Sequence, residues 1–524
     1  MPDDRRWSFY GRAAERADLG RILASSRFFF CSISGRRRIG KTTLIREALR
    51  ELGRRRAALY TQIPDSDQRG VVQSFRDAVE DSDLLELLRA GSGGRIVDLG
   101  AIRDFKAMAA SVAALCRMGV IVVLDEFQYF HRRTLFEFTS HLQAEIDQLR
   151  SGSEGGIFVL GSIHTEMTAV LEDRSSPLFN RVTHRIALPH WDFATLFQMF
   201  RAHGVDDPAH WLFLWTLFEG VPKFYRDVHE QDALHCGATR KETLRRLFFE
   251  GASPLKDEAA NWFLRELRGR SDSVLKLIAR IQPCSYGQLN AEYDQTGPGD
   301  SGGALSAYLK ALIERYQMVE LHPPVFARDN ARKSRYTITD NFLSAWLSAL
   351  SRNVDFARIR PISEAVARAD SALQSHVGLA FEKMVRVLTE EVSRLGGGDL
   401  ALSGTVRGYW NKADGSDVVI DLVAFDEDAG VVRFGSCKRS CSRFDKPVLD
   451  GFEEHIQRFL ATREGQRFAH HEVQRALYSP AFEPAARRRL QARGYLCRDL
   501  KDFEADIVAG TRPPVPRSRA RSRA

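Results

Sequence analysis

Short apolar runs set between polar loops open the chain. Residues 28–33 read FFFCSI, residues 119–124 read GVIVVL and residues 156–160 read GIFVL. Runs of this length without polar alternation are what strands buried on both faces look like. Between them Phe105, Met108, Val112 and Leu115 recur at three- and four-residue steps, a helix spacing, and residues 135–149 carry a second helical pattern. Strands alternating with helices predict an α/β fold on a parallel sheet.

Downstream the pattern changes. Residues 194–267 are helical in periodicity and rich in Phe, Trp and Leu, with Pro222 as the main interruption, the outline of a helical lid. Residues 274–281, 286–294 and 303–315 then read as three helices, followed by β-type stretches at 319–321 and 335–338. That order predicts a winged helix-turn-helix. From residue 375 to 499 the reading is a helix, two or three strands, then helix, strand, helix and strand, with strands 417–425 and 431–438 joined by the charged turn DEDAG.

A length of 524 residues fits three or four such domains at roughly 150 residues each. With 44% hydrophobic and 27% charged residues the composition is that of packed globular domains. The net charge is +8, but residues 512–524 hold five arginines and no acid, leaving +3 on residues 1–511. The basic excess therefore belongs mostly to a tail without apolar periodicity, which is expected to be disordered and to touch phosphate nonspecifically. The seven cysteines are scattered and form no CxxC pair, so neither a disulfide framework nor a zinc site is expected. No apolar run reaches signal-peptide or membrane-span length, which predicts a cytoplasmic protein with no membrane contact.

The strongest chemical signal is GRRRIGKT, from Gly35 to Thr42, directly after the first apolar run and before the helical stretch TLIREALREL. This is a P-loop pattern: glycines let backbone N–H groups curl around phosphate oxygens, and the following helix points its positive end at the anion. Gly35, Arg38, Ile39, Gly40, Lys41, Thr42 and Thr43 are the candidate nucleotide contacts, with Lys41 on the β- and γ-phosphates and Thr42 on magnesium (Mg2+). In LDEFQ, Asp125 and Glu126 end a buried strand; Asp125 is assigned to the metal and Glu126 to the base that polarises the attacking water. Ser162, after the next strand, is read either as a γ-phosphate sensor or as a helix N-cap. Arg181 is read either as an arginine finger, in its own or a neighbouring subunit, or as a surface salt bridge.

Taken together, Phe9-Tyr-Gly11-Arg12, GRRRIGKTT, LDEFQ, LGS, SPLFNR and Glu219-Gly-Val-Pro222-Lys-Phe-Tyr225 resemble the prokaryotic, archaeal-type P-loop ATPases of the broad AAA+ and STAND grouping. The resemblance implies that Gly11 and Arg12 lie near the adenine and that Gly220 and Pro222 lie in the lid over the nucleotide. Asp340-Asn-Phe-Leu-Ser-Ala-Trp346 looks like the signature that follows the winged helix in such proteins, and the C-terminal region is similar in outline to PD-(D/E)xK nucleases. That outline brings up Glu382, Asp421 and Lys438 as a candidate nuclease-like site, with Ser436 standing where the pattern has an acid. Strand alternation turns Ser436 and Lys438 to the same side, toward Asp421.

The expected organisation is a P-loop ATPase core at 1–193, a helical lid at 194–268, a winged helix at 269–355, a nuclease-like α/β domain at 356–508 and a basic tail at 509–524. The expected function is a Mg-ATP-hydrolysing switch coupled to double-stranded DNA, through the winged helix and tail, or to a protein partner or second copy. An ATP-gated nuclease and a nucleotide-binding scaffold with little turnover are the alternatives.

Overall fold

The computed structural model describes residues 7–511 apart from 54–55, 83, 85–98, 151, 153, 163, 252, 259–266, 268–269, 297–302 and 329–331. The tail expected to be disordered lies outside the described residues. The chain divides into two compact units: residues 11–190 with 221–223, here the phosphate-loop unit, and the remainder, here the C-terminal unit.

The phosphate-loop unit is built on five parallel strands, β1 (Phe29–Ser34), β2 (Ala58–Gln62), β3 (Ile121–Asp125), β4 (Gly156–Gly161) and β5 (His184–Ala187), in the order β2-β3-β4-β1-β5. The three central strands are the apolar runs of the sequence and are almost wholly buried. The two edge strands escape the sequence pattern for a physical reason. Each has a neighbour on one side only, so β2 alternates and β5 is mostly exposed, and neither shows the continuous apolar run of a central strand. Helices Gln68–Glu80, Phe105–Arg117 and Glu137–Leu149 lie in the crossovers and place Phe75, Met108, Val112, Phe138 and Leu142 in one core with Val122 and Val159. Pairing β1 with both β4 and β5 makes the strand order reverse beside the C-terminal end of β1, where open α/β sheets bind ligands.

The C-terminal unit begins with helices Phe193–Ala202 and Pro208–Phe218, then continues through Ser271–Ile281, Tyr286–Thr296 and Gly303–Lys310 to the antiparallel hairpin β6 (Val319–His322) and β7 (Arg335–Ile338). Helix Ile362–Arg394 follows, and then β8 (Arg407–Trp410), β9 (Val419–Asp426), β10 (Val431–Cys437), β11 (Glu472–Tyr478) and β12 (Leu496–Arg498). These five strands form one sheet in the order β12-β11-β10-β9-β8, antiparallel from β8 to β10 and parallel from β10 to β12. The long helix ties the unit together: Asp370 pairs with Arg240 at 2.6 Å, and the Glu391 carboxylate accepts from the free N–H groups of Phe193 and Ala194 at 2.8 and 2.9 Å.

Four basic residues, Arg328, Arg332, Lys333 and Arg335, cluster at the hairpin expected to reach DNA, but Arg335 turns inward. Its guanidinium lies 4.6 Å from the ring centre of Trp410 and donates to the carbonyl of Ala413 at 3.2 Å, while Trp410 donates to the carbonyl of Lys333 at 2.7 Å. A planar cation stacked on an aromatic face beside a buried sheet gains more from that ring than from solvent. Arg328, Arg332 and Lys333 remain exposed.

Candidate nucleotide site

Gly40 has φ +91° and Arg38 φ +69°, so the phosphate loop runs through backbone conformations that turn its N–H groups to one side. A side chain at Gly35 would meet the carbonyl oxygen of Leu188 at 2.8 Å, whereas one at Gly40 would meet nothing within 4 Å. One glycine is demanded by close packing and the other faces open space. Helix Lys41–Leu52 starts at the loop, its first N–H groups without intrahelical acceptors. The Lys41 ammonium donates to the carbonyls of Gly35 and Arg36 at 2.8 and 2.9 Å. Burial pulls its pKa down to about 8, against the pull of Glu126 and Asp125, so the cation is poorly solvated and suited to an anion.

The metal candidates meet as the sequence places them. Thr42 Oγ1 donates to Asp125 Oδ2 at 2.7 Å, joining the first helical turn after β1 to the end of β3. Hard oxygen donors of this kind fit magnesium, which takes one or two protein oxygens and completes its shell with phosphate and water. Among the described residues no three His, Cys, Asp or Glu side chains form a metal cage, and such a shared shell requires none. Glu126 sits at φ +57°, a left-handed conformation costing on the order of 1–3 kcal/mol for a non-glycine residue.

Two residues to which the sequence assigns no role complete the group. Tyr60 on β2 donates to the same Asp125 Oδ2 at 2.6 Å; burial first, and then the Asp125 carboxylate, raises its pKa. Gln128, fully buried, donates to Glu126 Oε2 and, at 3.4 Å, to Ser162 Oγ, while its carbonyl accepts from Ser162 N–H at 3.3 Å. Ser162 Oγ in turn lies 3.4 Å from Glu126 Oε2. The base and the sensor candidate thus share one amide. Tyr60 belongs to an edge strand with no apolar run, and Gln128, although it closes the LDEFQ motif, takes its place only through Glu126 and the distant Ser162 just after β4.

The remaining sequence candidates fall into three groups. Arg12 is buried and holds backbone: its guanidinium donates to the carbonyls of Ile39 at 3.3 Å and Pro189 at 2.7 Å, with Glu15 at 3.1 Å. Together with Gly11, whose φ is +65°, it braces the phosphate loop. Following Pro222, Lys223 donates its N–H to the carbonyl of Arg38 at 3.4 Å, while Thr43 is exposed on the helix. Arg181 pairs with Asp147 at 3.1 Å and donates to the carbonyl of Phe179 at 2.8 Å, with no hydrogen bond to the Lys41 and Asp125 group.

In the C-terminal unit, Asp421 Oδ2 accepts from the Cys437 N–H at 2.8 Å and from Ser436 Oγ at 3.4 Å, and lies 3.6 Å from Lys438 Nζ. Glu382 and Asp421 line one cavity of about 120 Å³ with Arg335, Arg386 and Trp410. Burial, and then the nearby Asp421 carboxylate, pushes the Glu382 pKa up. On helix Lys446–Leu460, Glu453 and Glu454 pair with Arg475 and Arg458 at 2.7 and 3.5 Å.

No protein-family model matches the chain. An uncharacterized protein of Methanocaldococcus jannaschii is 23% identical over 422 residues, covering 80% of this chain and 85% of that one. Among solved structures, the ORC2 protein of Aeropyrum pernix is 14% identical with a TM-score of 0.43, covering 71% of this chain and 97% of that one. A Walker-type ATPase of Pyrococcus abyssi is 18% identical with a TM-score of 0.50, covering 66% of this chain and 98% of that one. The five-stranded parallel sheet, the phosphate loop after β1 and this likeness identify the fold as that of a P-loop nucleoside triphosphatase.

Proposed function

We propose that the protein binds Mg-ATP at the phosphate loop and hydrolyses it, using the nucleotide state as a switch. The observation that carries the reading is the join of loop and strand ends: Thr42 on Asp125 at 2.7 Å, with Glu126 held beside Ser162 by Gln128. Lys41 leaves the loop carbonyls for the β- and γ-phosphates, which hold it protonated. Thr42 and Asp125 present oxygens to magnesium, which when bound neutralises phosphate charge. Glu126 accepts the proton of the attacking water, and Gln128 sets the angle of its carboxylate. Ser162 senses the γ-phosphate through the same amide. Arg12 and Gly11 hold the loop from behind, and Lys223, after Pro222, braces it at Arg38.

Phosphate release and nucleotide binding test this directly. Lys41→Ala is expected to abolish Mg-ATP binding, and Glu126→Gln to bind ATP without turning it over. Wild-type protein that binds no Mg-ATP refutes the reading, and equal phosphate release by wild type and Glu126→Gln favours a scaffold that holds nucleotide. The exposed Arg328, Arg332 and Lys333, with the arginines of residues 512–524, are the proposed contacts to double-stranded DNA.

A second reading assigns phosphodiester cleavage to Glu382, Asp421 and Lys438, supported by the cavity that Glu382 and Asp421 line and by Lys438 Nζ at 3.6 Å from Asp421. Magnesium- or manganese-dependent cleavage lost in Asp421→Ala and Lys438→Ala is its expected signature.

A further inference from the structure

Glu219 ends helix Pro208–Phe218 at φ +49° and ψ −127°, a conformation that suits glycine and strains a glutamate. A glycine, Gly220, is the very next residue, yet the strained position carries a long acidic side chain that is almost fully buried. Its polar atoms account for it. Oε1 lies 2.5 Å from Lys383 Nζ, Oε2 accepts from Asn341 N–H at 3.3 Å, and the backbone carbonyl accepts from the Tyr225 hydroxyl at 2.5 Å. Lys383 is anchored as firmly, donating also to the Thr339 carbonyl at 3.0 Å and to Asn341 Oδ1 at 3.4 Å. Burial opposes its charge, but Glu219 and Glu320 outweigh burial and hold the ammonium above the ordinary lysine value. The pair is therefore a strut held by several hydrogen bonds at once.

Two ends of the strut matter. Four residues beyond Glu219, Lys223 braces the phosphate loop by donating its N–H to Arg38. On helix Ile362–Arg394, Lys383 directly follows Glu382, which faces the Asp421 cavity. We propose that Lys383 is a positioning residue for nucleotide binding: through Glu219 it fixes the turn from which the chain runs on to Lys223, and so sets the shape of the loop that receives phosphate. This rests on the Mg-ATP reading above.

The test uses full-length protein. Lys383→Met alone strands a buried carboxylate and can unfold the unit, so the decisive variant is Glu219→Gly with Lys383→Met, which removes both charges and gives the turn the residue that its backbone prefers. Mg-ATP affinity, KM and kcat are measured with the unfolding temperature as a control. The double variant is expected to stay folded while its Kd and KM for Mg-ATP rise about tenfold or more, a coupling of ordinary size, with kcat changing less. Lys383→Arg, which keeps the ion pair, is expected to restore affinity to within about twofold of wild type. A folded double variant with wild-type Kd overturns the proposal while leaving the Mg-ATP reading intact, and wild-type protein that binds no Mg-ATP overturns both.

Discussion

The chain holds two groups made from the same parts, an aspartate on a strand, a second carboxylate and a lysine, and they differ in what donates to the aspartate. Asp125 Oδ2 is met by two hydroxyls, Thr42 and Tyr60, each of which can rotate to offer a lone pair instead of a proton. Asp421 Oδ2 is met by one hydroxyl, Ser436 at 3.4 Å, but also by the Cys437 N–H at 2.8 Å, which has no lone pair to offer, and by the Lys438 ammonium. A cation entering the first group meets oxygens that can turn toward it. One entering the second must displace a fixed donor and a positive charge. The second carboxylates differ in the same sense: Glu126 has Gln128 and Ser162 as partners, whereas Glu382 lies in a cavity where burial and Asp421 raise its pKa and favour its neutral form. On the proposed Mg-ATP reading the first group can turn oxygens toward a divalent ion; the second has much of its charge quenched from within.

The largest effect that can break this contrast is on turnover. Glu126→Gln is expected to cut phosphate release by roughly 10²–10⁴-fold while ATP still binds, and Glu382→Gln to leave it unchanged. If both substitutions slow release alike, the division of labour is wrong. Next in size is Gln128→Leu, which keeps the buried volume and removes the amide that orients Glu126. A loss of kcat of roughly 10–100-fold with little change in KM is expected, by analogy with the partners that orient metal ligands. A Gln128→Leu protein with wild-type kcat would leave Glu126 oriented by its own backbone and Ser162.

A smaller effect tests Lys41. Its pKa in the nucleotide-free protein is lowered to about 8, and phosphate oxygens raise it again on binding. Binding above pH 8 therefore takes up a proton, and affinity falls by at most about tenfold per pH unit as the pH rises through that value. Calorimetry in buffers of different ionisation enthalpy reads the uptake directly. No uptake at pH 8.5 would mean that burial leaves the lysine charged.

The two groups were not equally legible in the sequence. Lys41, Thr42, Asp125 and Glu126 lie in short motifs beside apolar strands, so chemistry and context are local. Tyr60 carries no such mark, because an edge strand lacks the apolar run, and Gln128, inside LDEFQ, gains a role only from Ser162, which follows β4 far along the chain. In the C-terminal unit, alternation along β10 was enough to turn Ser436 and Lys438 toward Asp421. The intervening Cys437 N–H on the same oxygen was not readable, since a backbone donor has no residue identity. The stacking of Arg335 on Trp410 was hidden for a related reason: exposed and enclosed arginines look alike until the distant aromatic is placed.

The smallest expected effect is on stability, and it probes the quenched group. Glu382 has a folded-state pKa above its ordinary value, so between the two values the folded protein binds more protons than the unfolded chain. Stability from this group is then fully present at low pH and declines as pH rises through that window, the reverse of a salt-bridged carboxylate. Glu382→Gln mimics the neutral acid. It is expected to match wild type near pH 4 and to unfold a few degrees higher near pH 8, read by thermal unfolding at both values. Magnesium sharpens the result. If wild type gains thermal stability on adding the ion without nucleotide, and Glu382→Gln does not, the C-terminal carboxylates hold a cation after all. The contrast would then lie in what each site does with its metal and not in whether it takes one.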